Sequence, residues 1–231
     1  MNARQFARLL AAAVATSGVA LMSTPIPSVP SASAAPCPDV EVTFARGTDE
    51  PPGVGAVGQQ FIDSLREQAG GKSIAVYPVN YPAGGDIGPS VSAGANDAHA
   101  HVRSTIASCP NTKLVLGGYS EGAGVIDMTT IARAPIAGMV PDILTADEAD
   151  HVAALATLGN PSGRFLGAPI PELSPWYGAK AVDLCAPGDP VCAPGAMLTL
   201  PTHDEMFSPE HLSYTHNGMP SQAAAFVAGR V

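Results

Sequence analysis

The sequence predicts an α/β sandwich built on a mostly parallel sheet, and three observations carry that prediction. Short apolar, often β-branched runs alternate with longer stretches of helical character, the pattern that lays helices over a parallel sheet. The octet "GGYSEGAG" at 117–124 stands where one such strand gives way to one such helix. The length remaining after an N-terminal leader, about 196 residues, is that of one domain with a sizeable core.

The leader is residues 1–35. Arg4 and Arg8 make a basic start, residues 9–22 are an apolar, Ala-rich run, and Ala32-Ser33-Ala34 offers small residues for cleavage. This is the layout of a secretory signal peptide. The apolar run is shorter than the roughly 20 residues a membrane anchor needs. The expected domain therefore covers residues 36–231, and the expected location is outside the membrane.

Within the domain, "VEVTFAR" (40–46) reads as the first strand, followed by a helix over 57–68. "SIAVYPV" (73–79) is the second strand and 90–108 the second helix. "KLVLGGY" (113–119) and "HVAALATLG" (151–159) are apolar enough for buried parallel strands, with a helix over 122–132 between them. "GAKAVDLC" (178–185) is a weaker fifth strand, and 221–228 a final helix. Residues 134–150 and 161–177 are Pro-rich and loop-like, long enough to line a site or cover a sheet edge. Trp176, the single tryptophan, lies in the second of them, where packing explains it as well as substrate contact does.

Charge narrows the partners. The formal charge of −9 becomes −11 without Arg4 and Arg8, which disfavours nucleic acid and anionic membrane surfaces. Cys37, Cys109, Cys185 and Cys192 are an even set in an exported chain, so two disulfides are expected out of three possible pairings. The turn-rich segment Ala-Pro-Gly-Asp-Pro-Val between Cys185 and Cys192 favours local closure, leaving Cys37 to Cys109. No Cys-x-x-Cys and no nearby His pair suggests zinc, and no metal is expected. Asp97, His99 and His101 supply too few ligands for an ion, so a packed or solvated helix face is the expectation. Asn160-Pro161-Ser162 is barred from glycosylation by its proline. His151 is assigned to a strand edge and His216 to a loop.

The chemistry centres on Ser120. A serine hydroxyl is a weak nucleophile at neutral pH and needs an adjacent base. Gly118-Tyr119-Ser120-Glu121-Gly122 fits a nucleophile elbow, in which the strand ends, the chain turns sharply with serine at the apex, and a helix begins. Glycines flank the serine because side chains there would collide with the crossing strand and helix. An acid and then a histidine should follow in chain order. Asp183, Asp189, Asp204 and Glu205 are the candidate acids, and His151, His203, His211 and His216 the candidate bases. Asp189 lies inside the expected Cys185–Cys192 loop, whose closure would fix the direction of its carboxylate. His211 and its rival His203 both come from segments able to reach one end of the sheet.

"GYSEGAG", "DLCAPGDPVC" and "HLSY", in this order and spacing, resemble the cutinases, and most closely the secreted cutinase-like esterases of mycobacteria and related actinomycetes. The resemblance spans the chain from Cys37 onward. It implies a small α/β-hydrolase fold without a large lid, with Ser120 as nucleophile, Asp189 as orienting acid and His211 as general base. It also implies the disulfides Cys37–Cys109 and Cys185–Cys192. "FARGTDE" (44–50) is similar to the family's oxyanion loop, which implies as donors the backbone N–H of Thr48, with its hydroxyl, and the backbone N–H of Glu121. Glutamine is usual at position 121. Glutamate there leaves the backbone donor intact but puts a carboxyl beside a developing oxyanion, partly offset by the helix N-terminus, so reduced activity with an altered pH dependence is expected.

The resulting expectation is a secreted, monomeric serine esterase, without cofactor, acting on medium-chain esters or lipids, outside the cell or at the cell wall. Two rivals stand beside it. The same site could serve an acyltransferase, a phospholipase or a thioesterase, which an acceptor alcohol would reveal. A weakly active surface-binding or antigenic protein is the rival from outside enzymology, and Glu121 is its sole support in the sequence.

Overall fold

The structure is a computed structural model that describes residues 36–194 and 199–231; the leader expected at 1–35 lies outside the described residues. Its strands are β1 (Val40–Ala45), β2 (Ile74–Pro78), β3 (Lys113–Tyr119), β4 (Val152–Leu158) and β5 (Ala181–Leu184). They form one parallel sheet in the order β2-β1-β3-β4-β5. The chain leaves β1 toward one edge and β3 toward the other. That reversal opens a crevice at the carboxyl ends of β1 and β3, the usual place for a site in such sheets.

The longer helices are α1 (Gly55–Gln68), α2 (Ile87–Ser108), α3 (Glu121–Thr130) and α8 (Met219–Ala228). Shorter ones are α4 (Ala146–His151), α5 (Ser162–Phe165), α6 (Ile170–Leu173) and α7 (His203–Met206). Gly178–Lys180 and His211–Thr215 are 3₁₀ turns. Helices α1 and α8 cover one face of the sheet, burying Phe44, Phe61, Leu65, Val115 and Val227. On the other face α2 and α3 bury Val91, Ala95, Val125, Leu116 and Ile126. The expected α/β sandwich is what the chain forms, in three layers with helices on both faces of the sheet.

Differences from the sequence expectation have local causes. Helix α2 begins at Ile87 and α8 at Met219, earlier than the periodicity indicates, because each carries a proline in its first turn, Pro89 and Pro220. First-turn N–H groups have no intrahelical partner, so proline costs little there. Residues 134–150 are not wholly loop: α4 is nucleated by a capping box in which the Thr145 hydroxyl accepts from the Glu148 N–H while the Glu148 carboxylate accepts from the Thr145 N–H. His151 thus closes α4 directly ahead of β4, and His216 follows a 3₁₀ turn.

Cys37 is bonded to Cys109 and Cys185 to Cys192. Asp97 and His101 share one face of α2, where Asp97 accepts from the Tyr77 hydroxyl and the Asn80 N–H, and His101 meets Glu41 at 2.8 Å. His99 faces the other way, between Asp142 at 2.8 Å and Glu148 at 3.1 Å. These contacts fasten α2 to the sheet and to α4. Trp176 is 45 % exposed under the Arg133 guanidinium, while the adjacent Tyr177 is buried.

Candidate active site

The site begins with a strained turn. Ser120 has φ 57° and ψ −120° between the end of β3 and the start of α3. A non-glycine residue holds such a conformation only when its surroundings enforce it. The flanking glycines show how tight the crossing is: a Cβ on Gly118 would lie 2.3 Å from the Gly122 carbonyl oxygen, and one on Gly122 would lie 2.1 Å from the Ala45 carbonyl oxygen. The result projects the Ser120 hydroxyl out of the carboxyl end of the sheet.

A buried hydrogen-bonded chain leads away from that hydroxyl. His211 Nε2 stands 2.7 Å from Ser120 Oγ, and His211 Nδ1 stands 3.0 and 2.9 Å from the two Asp189 carboxylate oxygens. Exposures of 4 % for Ser120, 1 % for His211 and 0 % for Asp189 keep competing water from the polar contacts. Asp189 sits in the loop closed by Cys185–Cys192 and accepts from the Val191 N–H at 2.8 Å and the Tyr214 hydroxyl at 2.8 Å. Burial acts to raise its carboxyl, but the bonds from His211, Tyr214 and Val191 outweigh that and hold it below the ordinary carboxylate range. Tyr119 supports the imidazole from below, its ring stacked on His211 at 5.2 Å and its hydroxyl donating to the His211 carbonyl at 2.6 Å.

The other candidates for acid and base are placed elsewhere. Asp183 accepts from Asn160, Ser162 and the Ile170 N–H in a separate buried network. His203 and Asp204 are exposed on α7, and Glu205 pairs with Arg164 at 3.0 Å. Among the described residues, a grouping with metal-like spacing is Cys185, Asp189 and Cys192, but its sulfurs are joined to each other and offer no thiolate.

The β1–α1 loop brings Thr48 to the other side of Ser120. Arg46 braces this loop by donating to the carbonyls of Glu50, Tyr81 and Pro82, and the Tyr81 hydroxyl donates back to the Arg46 carbonyl. The Thr48 hydroxyl donates to Glu121 Oε2 at 2.9 Å, and the Ser90 hydroxyl donates to Glu121 Oε1 at 2.6 Å. Burial raises the Glu121 carboxyl above the ordinary range, with Ser90, Thr48, the Gly84 N–H and Arg46 pulling back only part of the way. The Glu121 N–H belongs to the first turn of α3, where helix geometry supplies no internal acceptor. Tyr214 closes the quoted stretch "HLSY" and Arg46 lies in "FARGTDE", although neither was assigned a role from the sequence, and Ser90 falls in no quoted motif.

Two clefts meet at Ser120. One is narrow and apolar, about 30 Å³, between Ile87, Val91 and Met139 on one wall and Phe165, Val191 and Leu200 on the other. The second is open, about 380 Å³, and is lined by Thr48, Asp49, Glu50, Phe207, His211 and Leu212.

A family model described as cutinase matches residues 36–231. The chain belongs to the cutinase family. This cutinase is 45 % identical over 236 residues to the carboxylesterase Culp1 of Mycobacterium tuberculosis, covering 100 % of this chain and 98 % of that one. It is 46 % identical over 229 residues to the phospholipase Culp4 of the same organism, covering 99 % and 93 %. Among solved structures, the Trichoderma reesei cutinase in complex with a phosphonate inhibitor superposes with TM-score 0.62 at 33 % identity, over 84 % of this chain and 77 % of that one. An acetylxylan esterase at 24 % identity, TM-score 0.67, covering 84 % and 99 %, shares the fold. The protein is accordingly an ester hydrolase of the serine esterase class.

Proposed function

We propose that this cutinase is an exported carboxylesterase that works through Ser120, His211 and Asp189 by way of an acyl-enzyme. The observation that carries the proposal is the unbroken chain from Ser120 Oγ through His211 to Asp189, at 2.7 and 2.9 Å. His211 Nε2 takes the serine proton as Oγ adds to the ester carbonyl, and Asp189 stabilises the imidazolium. The N–H groups of Thr48 and Glu121 receive the oxyanion, each such donor being worth about 3 kcal/mol. His211 then protonates the departing alcohol, and water repeats the sequence to release the acid.

The same geometry orients the substrate. The alcohol must leave beside His211, hence in the open cleft, and the acyl chain takes the apolar one. Asp49 and Glu50 at the alcohol side favour neutral alcohols over anionic ones. The reading takes in medium-chain esters or lipids, met outside the cell or at its wall by a monomeric enzyme without cofactor; because the apolar cleft of about 30 Å³ has room for about one water, a longer acyl chain requires its walls to part.

Turnover of p-nitrophenyl esters of increasing acyl length tests the reading. Ser120→Ala should lower kcat by about 10⁴-fold or more, and the best chain length sizes the acyl cleft. Turnover that survives the substitution overturns the mechanism. The openness of the second cleft also admits an acceptor alcohol, so a new ester formed when one is added would mark acyl transfer.

A further inference from the structure

A hydroxyl group has a single hydrogen, and at Thr48 that hydrogen is already committed. A carboxylate accepts and cannot donate, so while Glu121 is ionised the 2.9 Å contact directs the Thr48 O–H at Oε2 and away from the reacting carbonyl. The second carboxylate oxygen is held by Ser90 at 2.6 Å, and Ser90 Oγ in turn accepts from the Ala83 N–H at 3.1 Å. Glu121 therefore cannot swing away without breaking the α2 end of the network. Once Oε2 carries a proton, the direction of the bond can reverse: Glu121 donates to Thr48 Oγ1, and the threonine hydrogen is released toward the substrate.

We propose that the Glu121 side chain is a positioning residue whose protonation decides whether the Thr48 hydroxyl acts as a third oxyanion donor beside the two backbone N–H groups. This inference rests on the esterase reading above. Protonated, Glu121 completes the hole; ionised, it leaves two donors and a lone pair where the third should be.

The groups facing Glu121 set where the change occurs. Arg46, from the β1–α1 loop, favours the ionised form; Asp49 and Glu50 lie on that same loop, Glu50 already bound to the Gly47 and Ala56 N–H groups. Tyr81, beyond Arg46, stays a phenol because burial and the Glu121 charge both raise it. His211 adjoins through Ser120, α2 contributes the uncharged Ser90, and the Gly84 N–H also donates to the carboxylate. Burial at 6 % exposure holds the carboxyl above its ordinary range, so the protonated form persists to higher pH than on a surface glutamate.

Glu121→Gln keeps the backbone donor and the shape while its amide donates permanently to Thr48. The test compares kcat for a p-nitrophenyl ester against pH in wild type, Glu121→Gln, Thr48→Val and the double variant. The ratio of Glu121→Gln to wild type should rise with pH and reach about tenfold or more once Glu121 is ionised, with KM little changed. Thr48→Val should lower kcat at least tenfold more in the glutamine background than in wild type at that pH. Should Glu121→Gln not fold, Thr48→Val in wild type still decides: its penalty should shrink as pH rises. A penalty independent of pH, or equal in both backgrounds, overturns the proposal. Absence of wild-type turnover would instead overturn the esterase reading on which it rests.

Discussion

Tyr177 buries its whole side chain, yet its hydroxyl has no hydrogen-bond partner. An unsatisfied buried hydroxyl carries a desolvation cost of about 1 kcal/mol or more. Tyr177→Phe should therefore raise stability by about 1 kcal/mol and the melting temperature by about 2–4 °C; a melt that is unchanged or lower counts against this. Ser120 was legible because the constraint on it is local: strand, glycine, turn, glycine, helix. Asp189 stands out from Asp183, Asp204 and Glu205 by its place in the Cys185–Cys192 loop, whereas the choice of His211 over His203 needs the cutinase resemblance, since the meeting of acid and base depends on loops 22 residues apart closing on each other. The roles of Ser90 and Tyr214 were not legible, although Tyr214 closes the quoted stretch "HLSY". Their hydroxyls act on groups 31 and 25 residues away, and a serine or tyrosine alone announces no partner.

At the scale of elements, the elbow is the junction on which the rest is hung. The Gly122 Cα faces the Ala45 carbonyl so closely that any side chain must displace β1, which carries Arg46 and Thr48 into place. Gly122→Ala should cost about 3 kcal/mol by denaturant unfolding and abolish turnover. Gly124 is the internal comparison. It lies two residues along α3 with nothing nearer its would-be Cβ than Pro161 at 3.8 Å. Gly124→Ala should stabilise by about 0.5–1 kcal/mol through helix propensity, and equal effects at the two positions would refute the steric account. Strands and long helices were legible from apolar runs and periodicity. Helix starts were less so, because Pro89 and Pro220 look like breakers until their first-turn positions are known. Helix α4 escaped notice although Thr145 and Glu148 spell its capping box, the surrounding prolines having argued for loop.

Across the whole molecule, stability is pulled in opposite directions by its buried acids. Asp127 of α3 and Asp183 of β5 meet through the Asn160 amide, at 3.2 and 3.0 Å. Burial, then the nearby Asp183, pushes Asp127 well above the carboxylate range, and burial raises Asp183 as well. Folded values above unfolded ones mean that the stability these acids contribute is full below the ordinary carboxylate pKa and is lost as pH rises through the folded values. Asp189, held low, works oppositely: its contribution is present above the ordinary value and fades as pH falls through the folded one. Asp127→Asn keeps an oxygen for Asn160 and removes the ionisation, so its melting temperature should exceed that of wild type more at pH 8 than at pH 5. A shift of equal size at both would show that charge is not the cause. The placement of the base bears on biosynthesis too. Ser120 and Asp189 precede it in the chain, whereas His211 lies just ahead of α8, which packs against α1 and the sheet. A half-made chain thus carries a serine with nothing to activate it. An ester hydrolase built in this order has its hydroxyl in place at the elbow before the segment that carries the imidazole has been made.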